Sequence, residues 1–354
     1  MATIRDVARD SGVSIATVSR VFNHSPLVSG GTRDRVLAVA ERLGYWPNGI
    51  ARSLITSRTH AVGVLLPELH GEFFSELIHG IDLAARAQGL HLLVSRATST
   101  AAELGAALRS MRGRVDALIV MAPDPDASAA LRDCAGQVPA VLLNTAEPQP
   151  GCDTLSVANF DGAHEIVSHL IRLGHRSIGT VTGPGHNVDA RQRLEGYRAA
   201  MRDAALTVDP MLEFAGDFTE PSGYAAAARI LARDPRPTAL FVANDHMVIG
   251  VLGALGDVGV RVPDDLAIAG FDDIPMARYL TPPLTTMHVD LFRMGQRAME
   301  LLLECRRDGV SGERHEVLAT TLVVRGSCGA HAPENGEPSA WHRHRAAVAP
   351  ATRS

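Results

Sequence analysis

The chain has 354 residues, 46% of them hydrophobic, and a formal net charge of −5 at pH 7. That length predicts two or three domains, the overall charge excludes a protein that is basic throughout, and no run of about 18 uncharged apolar residues is present to span a membrane. Cys134, Cys152, Cys305 and Cys328 lie far apart without a C-x-x-C pair, which argues against structural disulfides and a zinc knuckle. Met1-Ala2-Thr3-Ile4-Arg5-Asp6 carries charges of both signs and no apolar h-region, so the sequence predicts no secretory signal and a cytoplasmic protein.

Residues 3–11 predict a short helix, with Ile4, Val7 and Ala8 at helical spacing. Ser11-Gly12-Val13 is a tight turn, and Ser14 is placed to cap a second helix running to about Asn23, with Val18, Val21 and Phe22 inward. A third helix is predicted from about Thr32 to Leu43, ended by Gly44. Helix, glycine turn and helix make a helix-turn-helix, whose second helix enters the DNA major groove at its start. Ile15 and Ala16 then face base edges, where apolar groups meet thymine methyls, and Arg20 reaches guanine O6 and N7. Thr3, Ser14, Thr17, Asn23 and Ser29 are the expected phosphate contacts. Charge agrees: residues 1–60 hold eight arginines (5, 9, 20, 33, 35, 42, 52, 58) against Asp6, Asp10, Asp34 and Glu41, so a basic module sits on an acidic body. After Pro47, a helix of under two turns from Asn48 to Leu54 is too short to stand without a partner.

From Ala61 the rhythm changes. Apolar runs at 61–66, 90–95, 117–121, 140–143, 177–181, 239–242 and 266–271 alternate with amphipathic segments at 74–88, 161–173, 191–204, 222–232, 244–258 and 291–307. This predicts α/β structure with parallel sheets covered on both faces, repeated over about 61–160 and 161–290 as two lobes. Ligands of such sheets bind at the carboxyl ends of strands. The end of the chain, 328–354, has no periodicity and is expected to be disordered.

The segment Thr3–Leu54 closely resembles the lactose-repressor/galactose-repressor family of transcriptional regulators. The likeness rests on the helix-turn-helix, on Val28-Ser29 with Thr32-Arg33 and Val36, on Gly44-Tyr45 with Pro47-Asn48, and on Ala51-Arg52-Ser53-Leu54, and it continues to about residue 326. Gly30-Gly31 departs from the better helix formers usual there. The resemblance implies a small all-α helix-turn-helix domain (1–47), a hinge helix and linker (48–60), and a two-lobed effector domain like the type I periplasmic binding proteins (61–327). Lobe 1 is expected at about 61–158 plus 290–320, and lobe 2 at about 159–289 plus 321–327. It implies a bacterial, nucleoid-associated repressor whose operator affinity is set by a small molecule. The hinge residues Asn48, Ala51 and Leu54 are expected in the minor groove, with Leu54 as a wedge that kinks the duplex at a central CG step of a palindrome. A two-fold operator asks for a homodimer, and no leucine beyond Gly326 supports a tetramer.

The resemblance also selects effector residues: Phe73 in Glu72-Phe73-Phe74, Asn144 after Val141-Leu142-Leu143, Arg193 with Asp189 at the rim, Phe218, Asn244, and Asp272 after Gly270-Phe271. A helix N-cap role is the alternative for Asp272 and for Asp245. Amides, carboxylates and an arginine around aromatic rings suit a sugar. A purine is the competing ligand, but Asn187 and Asp189 stand where the purine-binding relatives place an arginine and a threonine. A stand-alone sugar-binding protein would need export. An enzyme is not expected: His164 and His169 in the zinc-protease-like stretch are five apart, about 500° of helical turn, and do not share a face. Gly183-Pro184-Gly185 lacks a third glycine. No metal and no cofactor are predicted.

Overall fold

The computed structural model describes residues 2–22, 25–45, 58–97, 100–134, 138–308 and 314–329. Asn23, the helix after Pro47 with Asn48, Ala51 and Leu54, and the tail from 330 lie outside the described residues. The chain divides into two units, 1–61 with 111–116, and the remainder.

The first unit contains α1 (Ile4–Ser11), α2 (Ile15–Phe22) and α3 (Gly30–Leu43). Thr3 and Asp6 form a reciprocal capping box at α1, which satisfies two otherwise free N–H groups. The Ser14 hydroxyl accepts from Thr17 N at 3.1 Å, the cap expected for α2. Val7, Ala8, Val18, Val21, Val36 and Ala40 make the core, and Phe22 meets Tyr45 edge-on at 5.7 Å. Gly12 and Gly44 close α1 and α3 with φ of 66° and 60°, the left-handed region that glycine enters without a Cβ penalty. The third helix starts two residues before the predicted Thr32 and takes in Gly30 and Gly31. Ser29 caps it by backbone conformation alone, because its hydroxyl donates to Thr32 Oγ1 at 3.0 Å.

In the second unit the elements are β1 (Ala61–Leu66), α4 (Glu72–Arg86), β2 (His91–Arg96), α5 (Ala101–Met111), β3 (Ala117–Met121), α6 (Ser128–Cys134), β4 (Ala140–Leu143), β5 (Asp153–Val157), α7 (Asn159–Arg172), β6 (Ile178–Thr182), α8 (Val188–Asp203), β7 (Glu213–Ala215), α9 (Glu220–Leu231), β8 (Ala239–Val242), α10 (Asp245–Asp257), β9 (Ala267–Asp272), β10 (Thr285–His288), α11 (Leu291–Asp308), β11 (His315–Leu318) and β12 (Thr321–Val323). They build two six-stranded sheets, ordered β11-β5-β4-β3-β1-β2 and β12-β10-β9-β8-β6-β7. β12 is antiparallel to β10, while β3 on β1 and on β4, and β8 on β6 and on β9, are parallel. The chain passes between the sheets three times: at Ala158, at Val289-Asp290, and at Ala319-Thr320.

Two helix pairs show why small residues recur on their faces. In α4 and α11, a Cβ on Gly80 would overlap the Phe292 carbonyl and one on Gly295 the Leu77 carbonyl; in α9 and α10, Gly223 and Gly250 stand in the same relation to Met247 and Glu220. Backbone packs on backbone in both lobes. The strands expected at 90–95, 177–181 and 266–271 each lie one residue later, at 91–96, 178–182 and 267–272. β5, β7, β10, β11, β12, α5 and α6 were not among the predicted runs, since they are short or alternate in burial, as the BiBiB pattern of β5 shows.

Candidate functional site

On the first unit, α2 turns Val18 and Val21 inward and leaves Ile15, Ala16 and Arg20 exposed on the other side. An isoleucine 45% exposed at the head of a helix has no packing role there. Thr3, Ser14 and Ser29 are exposed and Thr17 is half-buried. Several of these already have structural partners: the Thr3 hydroxyl donates to Asp6 Oδ2 at 2.7 Å, and the hydroxyls of Ser14 and Thr17 lie 2.9 Å apart.

The second unit contains a cavity of about 260 Å³ between the two sheets' carboxyl ends. Phe73, Asp189, Arg193, Phe218, Asn244 and Asp272 all line it. At its centre Arg193, only 3% exposed, projects from α8. Its Nε donates to Asn159 Oδ1 at 2.8 Å and its Nη1 to the Ala243 carbonyl at 2.6 Å. Nη2 stands 3.0 Å from Asp272 Oδ1. The guanidinium lies 3.8 Å over the Phe271 ring and 5.8 Å from that of Phe218, a cation–π arrangement strengthened by exclusion of water.

Asp189 was expected at the rim and is instead a buried wall of the cavity. It sits in the first turn of α8, where Asn187 caps the helix, and accepts from Asn144 Nδ2 and Asn159 Nδ2, each at 2.9 Å. Burial pushes its carboxyl up to about 6, and the nearby Asp272 charge adds to this, while Arg193 and the two amides oppose it. Burial also raises Asp272 against the pull of Arg193. Asn144, with φ of 47°, is 2% exposed and lies behind Asp189 without lining the cavity.

Asn244 is the N-cap of α10, accepting from Met247 N at 3.0 Å, and its Nδ2 donates to the Phe218 carbonyl. Asp245 is therefore not that cap but opens α10 itself, and Asp272 ends β9, while Ile274 caps the short helical turn Pro275–Arg278 that follows it. Asp245 accepts from Ile274 N at 3.0 Å and from Thr286 Oγ1 at 2.7 Å. Burial holds its carboxyl well above the usual range. Gly270 admits it, since a Cβ there would overlap the carboxylate.

Several cavity residues were absent from the sequence reading: Glu68, His70, Asp124, His186, Asp217, Glu220 and His246. Some join the lobes. Val188 N donates to the Pro123 carbonyl at 2.9 Å, His186 Nε2 is 3.9 Å from Asp124 Oδ2, and His246, bonded to Glu220 at 2.6 Å, packs on Gly71, where a Cβ would come within 3.0 Å of the His246 ring and where the φ of 88° disfavours any side chain. Outside the cavity Met276 N donates to Glu72 Oε2 at 2.8 Å. His164 pairs with Asp203 and His169 faces Cys328 Sγ, so the two zinc-protease-like histidines have separate neighbours.

A helix-turn-helix unit joined in one chain to a two-sheet domain with a polar cleft defines a ligand-responsive DNA-binding protein. Residues 3–48 match the bacterial regulatory proteins of the lacI family, and residues 167–328 match the periplasmic binding protein-like domain. The chain is 35% identical to the HTH-type transcriptional repressor PurR of Haemophilus influenzae (strain PittEE) over 92% of its own length and 98% of that protein's. It is 34% identical to the ribose operon repressor of Escherichia coli (strain K12), over 92% and 100%. Among solved structures, the lac repressor dimer bound to operator and the anti-inducer ONPF superposes with a TM-score of 0.83 at 32% identity, covering 93% of this chain and 99% of that one. The transcriptional regulator CelR in complex with cellobiose gives 0.70 at 31%, covering 92% and 100%. The chain belongs to the lacI family of bacterial transcriptional regulators: a DNA-binding repressor family with an effector domain, not a family of enzymes.

Proposed function

We propose that the protein is a homodimeric repressor that binds a palindromic operator with a central CG step and changes its grip when a monosaccharide-sized sugar fills the cleft. The observation that carries the sugar reading is the buried Arg193–Asp272 pair beside Asp189, set among Phe73 and Phe218. Carboxylates accept from neighbouring hydroxyls, the arginine donates to ring and hydroxyl oxygens, and aromatic faces take the apolar side of the ring. A cavity of about 260 Å³ lies just below the usual range of ligand sites, roughly 300–1,000 Å³, which favours one ring over two. In this reading Phe73, Asp189, Arg193, Phe218, Asn244 and Asp272 contact the effector and Asn144 orients Asp189.

On DNA, Ile15, Ala16 and Arg20 read bases. Thr3, Ser14, Thr17, Asn23 and Ser29 contact phosphates, and Asn48, Ala51 and Leu54 enter the minor groove. A purine effector is favoured by one observation, the likeness to the PurR repressors. Against it stand Asn187 and Asp189, which differ from the arginine and threonine of the purine-binding relatives. Ligand binding shifts the lobes between two arrangements and thereby couples to operator affinity, typically by about 1–3 kcal/mol.

Two measurements test this. Genomic fragments captured by the full-length protein at physiological salt should share a palindrome with a central CG step; no enriched sequence, with or without pooled sugars and nucleobases, refutes the DNA reading. Thermal shift against pentoses, hexoses, hypoxanthine and guanine should respond to a sugar. A response confined to the nucleobases replaces the sugar by a purine.

A further inference from the structure

The first unit takes in residues 111–116, the stretch that leads into β3, although they are remote in sequence from the linker. Asp116 is what holds them there. Its Oδ1 accepts from Thr59 N at 2.6 Å and from Thr59 Oγ1 at 2.8 Å, and its Oδ2 accepts from His60 N at 3.1 Å. Asp116 N in turn donates to the Ala61 carbonyl at 2.8 Å, and Ala61 N donates to Thr59 Oγ1 at 3.3 Å. Directly beyond this clamp β1 and β3 run side by side, with Val62 opposite Ala117.

Successive backbone N–H groups that converge on one carboxylate form an anion-binding concavity, and bonds to an ionised acceptor are roughly twice as strong as neutral ones. The concavity sets the backbone: His60 has a φ of 54°, in the left-handed region that few residues other than glycine enter. A strand needs none of this to begin. β3, β6, β8 and β9 all start without a positive-φ residue immediately before them. The Asp116 carboxylate therefore fixes the direction from which the linker enters β1. Asparagine cannot replace it, since an amide that keeps its oxygen on Thr59 turns its NH₂ toward the His60 N–H, donor against donor.

We infer that Asp116 is the anchor between the linker and the effector domain, a positioning residue through which a change in lobe arrangement is delivered to the DNA-binding segment. This rests on the operator-binding reading above and holds whatever the effector is. Four residues separate the hinge residue Leu54 from Thr59, so even fully extended the tether spans no more than about 18 Å. Without the clamp the next fixed point is Ala61, and the tether gains two residues, about 7 Å in each protomer. Slack of that length absorbs interface shifts of roughly 1–2 Å before any of the movement reaches DNA.

The test uses the full-length protein and a palindrome captured from genomic fragments, and needs no effector. Coupling between two sites is reciprocal, so operator binding must alter the contacts between the lobes. Hydrogen exchange at the amides of Val188 and Met276, which bond from one lobe to the other, reads that change. In the wild type the operator is expected to shift both exchange rates by at least about fivefold. Asp116→Asn should still bind the operator while both rates stay as they are in the free protein, an effect that a loss of stability alone does not produce. Thr59→Val, which lacks one bond of the clamp, should give an intermediate response, and Thr59→Ser, which keeps that bond, the wild-type response. These two decide where Asp116→Asn does not fold or bind, and a wild-type response in Thr59→Val then overturns the inference. A response in Asp116→Asn as large as in the wild type, or none in the wild type itself, overturns it and leaves the operator reading standing. Capture of no palindrome overturns both.

Discussion

Replacing Arg193 by methionine keeps most of the side-chain volume and removes the one cation at the centre of the cleft. Asp272, 3% exposed, loses its ion pair, and Asn159 Oδ1 and the Ala243 carbonyl lose their donors. Breaking a buried pair from one side costs about 3–5 kcal/mol, which in a domain of this size lowers the melting temperature by on the order of 10 °C. The deficit should depend on pH, with a definite sign. Asp189 already titrates near 6 instead of 3.8 in the fold, a destabilisation at neutral pH of about 3 kcal/mol. A carboxylate raised in this way binds its proton more tightly folded than unfolded, so stability falls as pH rises from about 4 to 6 and recovers as pH drops. Without Arg193, which lowers both Asp189 and Asp272, both rise further. Urea unfolding of the full-length variant, followed by far-UV circular dichroism, should show most of the deficit at pH 7.5 and a clearly smaller one at pH 5.5. A deficit below 1 kcal/mol, or one equal at both pH values, would refute the argument that Arg193 holds two buried carboxylates ionised.

Other substitutions test separate parts of the molecule. Gly250→Ala places a Cβ on the Glu220 carbonyl and must part α9 from α10; a loss of about 1–3 kcal/mol in urea unfolding is expected, and unchanged stability would mean that the helices are not in backbone contact. Arg20→Ala should weaken operator binding by about 1–3 kcal/mol and relax choice at one symmetric base pair, measured by selection from a randomised operator; an unaltered preferred sequence removes Arg20 from base readout. Glu72→Ala removes the bond to Met276 N that links the lobes outside the cavity. Effector affinity in calorimetry should fall several-fold, about 1 kcal/mol for one hydrogen bond, and an unchanged affinity would show that this bond does not report on closure.

What the sequence made legible follows from what local pattern can encode. Strands buried on both faces, such as β3 and β9, are continuous apolar runs and were placed within a residue. β11 shows one exposed face and β7 and β12 are three residues long, too little for a pattern. The start of α3 was misplaced because two glycines are poor helix formers, yet the helix includes them. In the cleft, residues carried by a motif, Arg193 and Asp272 among them, were found through the family resemblance. Asp124 and His246 were not. Asp124 sits between Pro123 and Pro125 beyond β3, and His246 follows an asparagine cap; each acquires its setting only when the opposite lobe arrives, and no short-range periodicity reports that.

The three passages between the sheets have consequences for how the cleft works. One is the single residue Ala158 and the others are two residues each. Connections this short have almost no slack, so the lobes cannot slide apart or drift; they can only pivot about the line that the three joints define. A gap that closes by an ångström near the pivot swings the far rim through several times that distance. Lengthening one joint with inserted glycines would leave both lobes folded and the cavity walls intact, while the lever that turns occupancy into movement went limp.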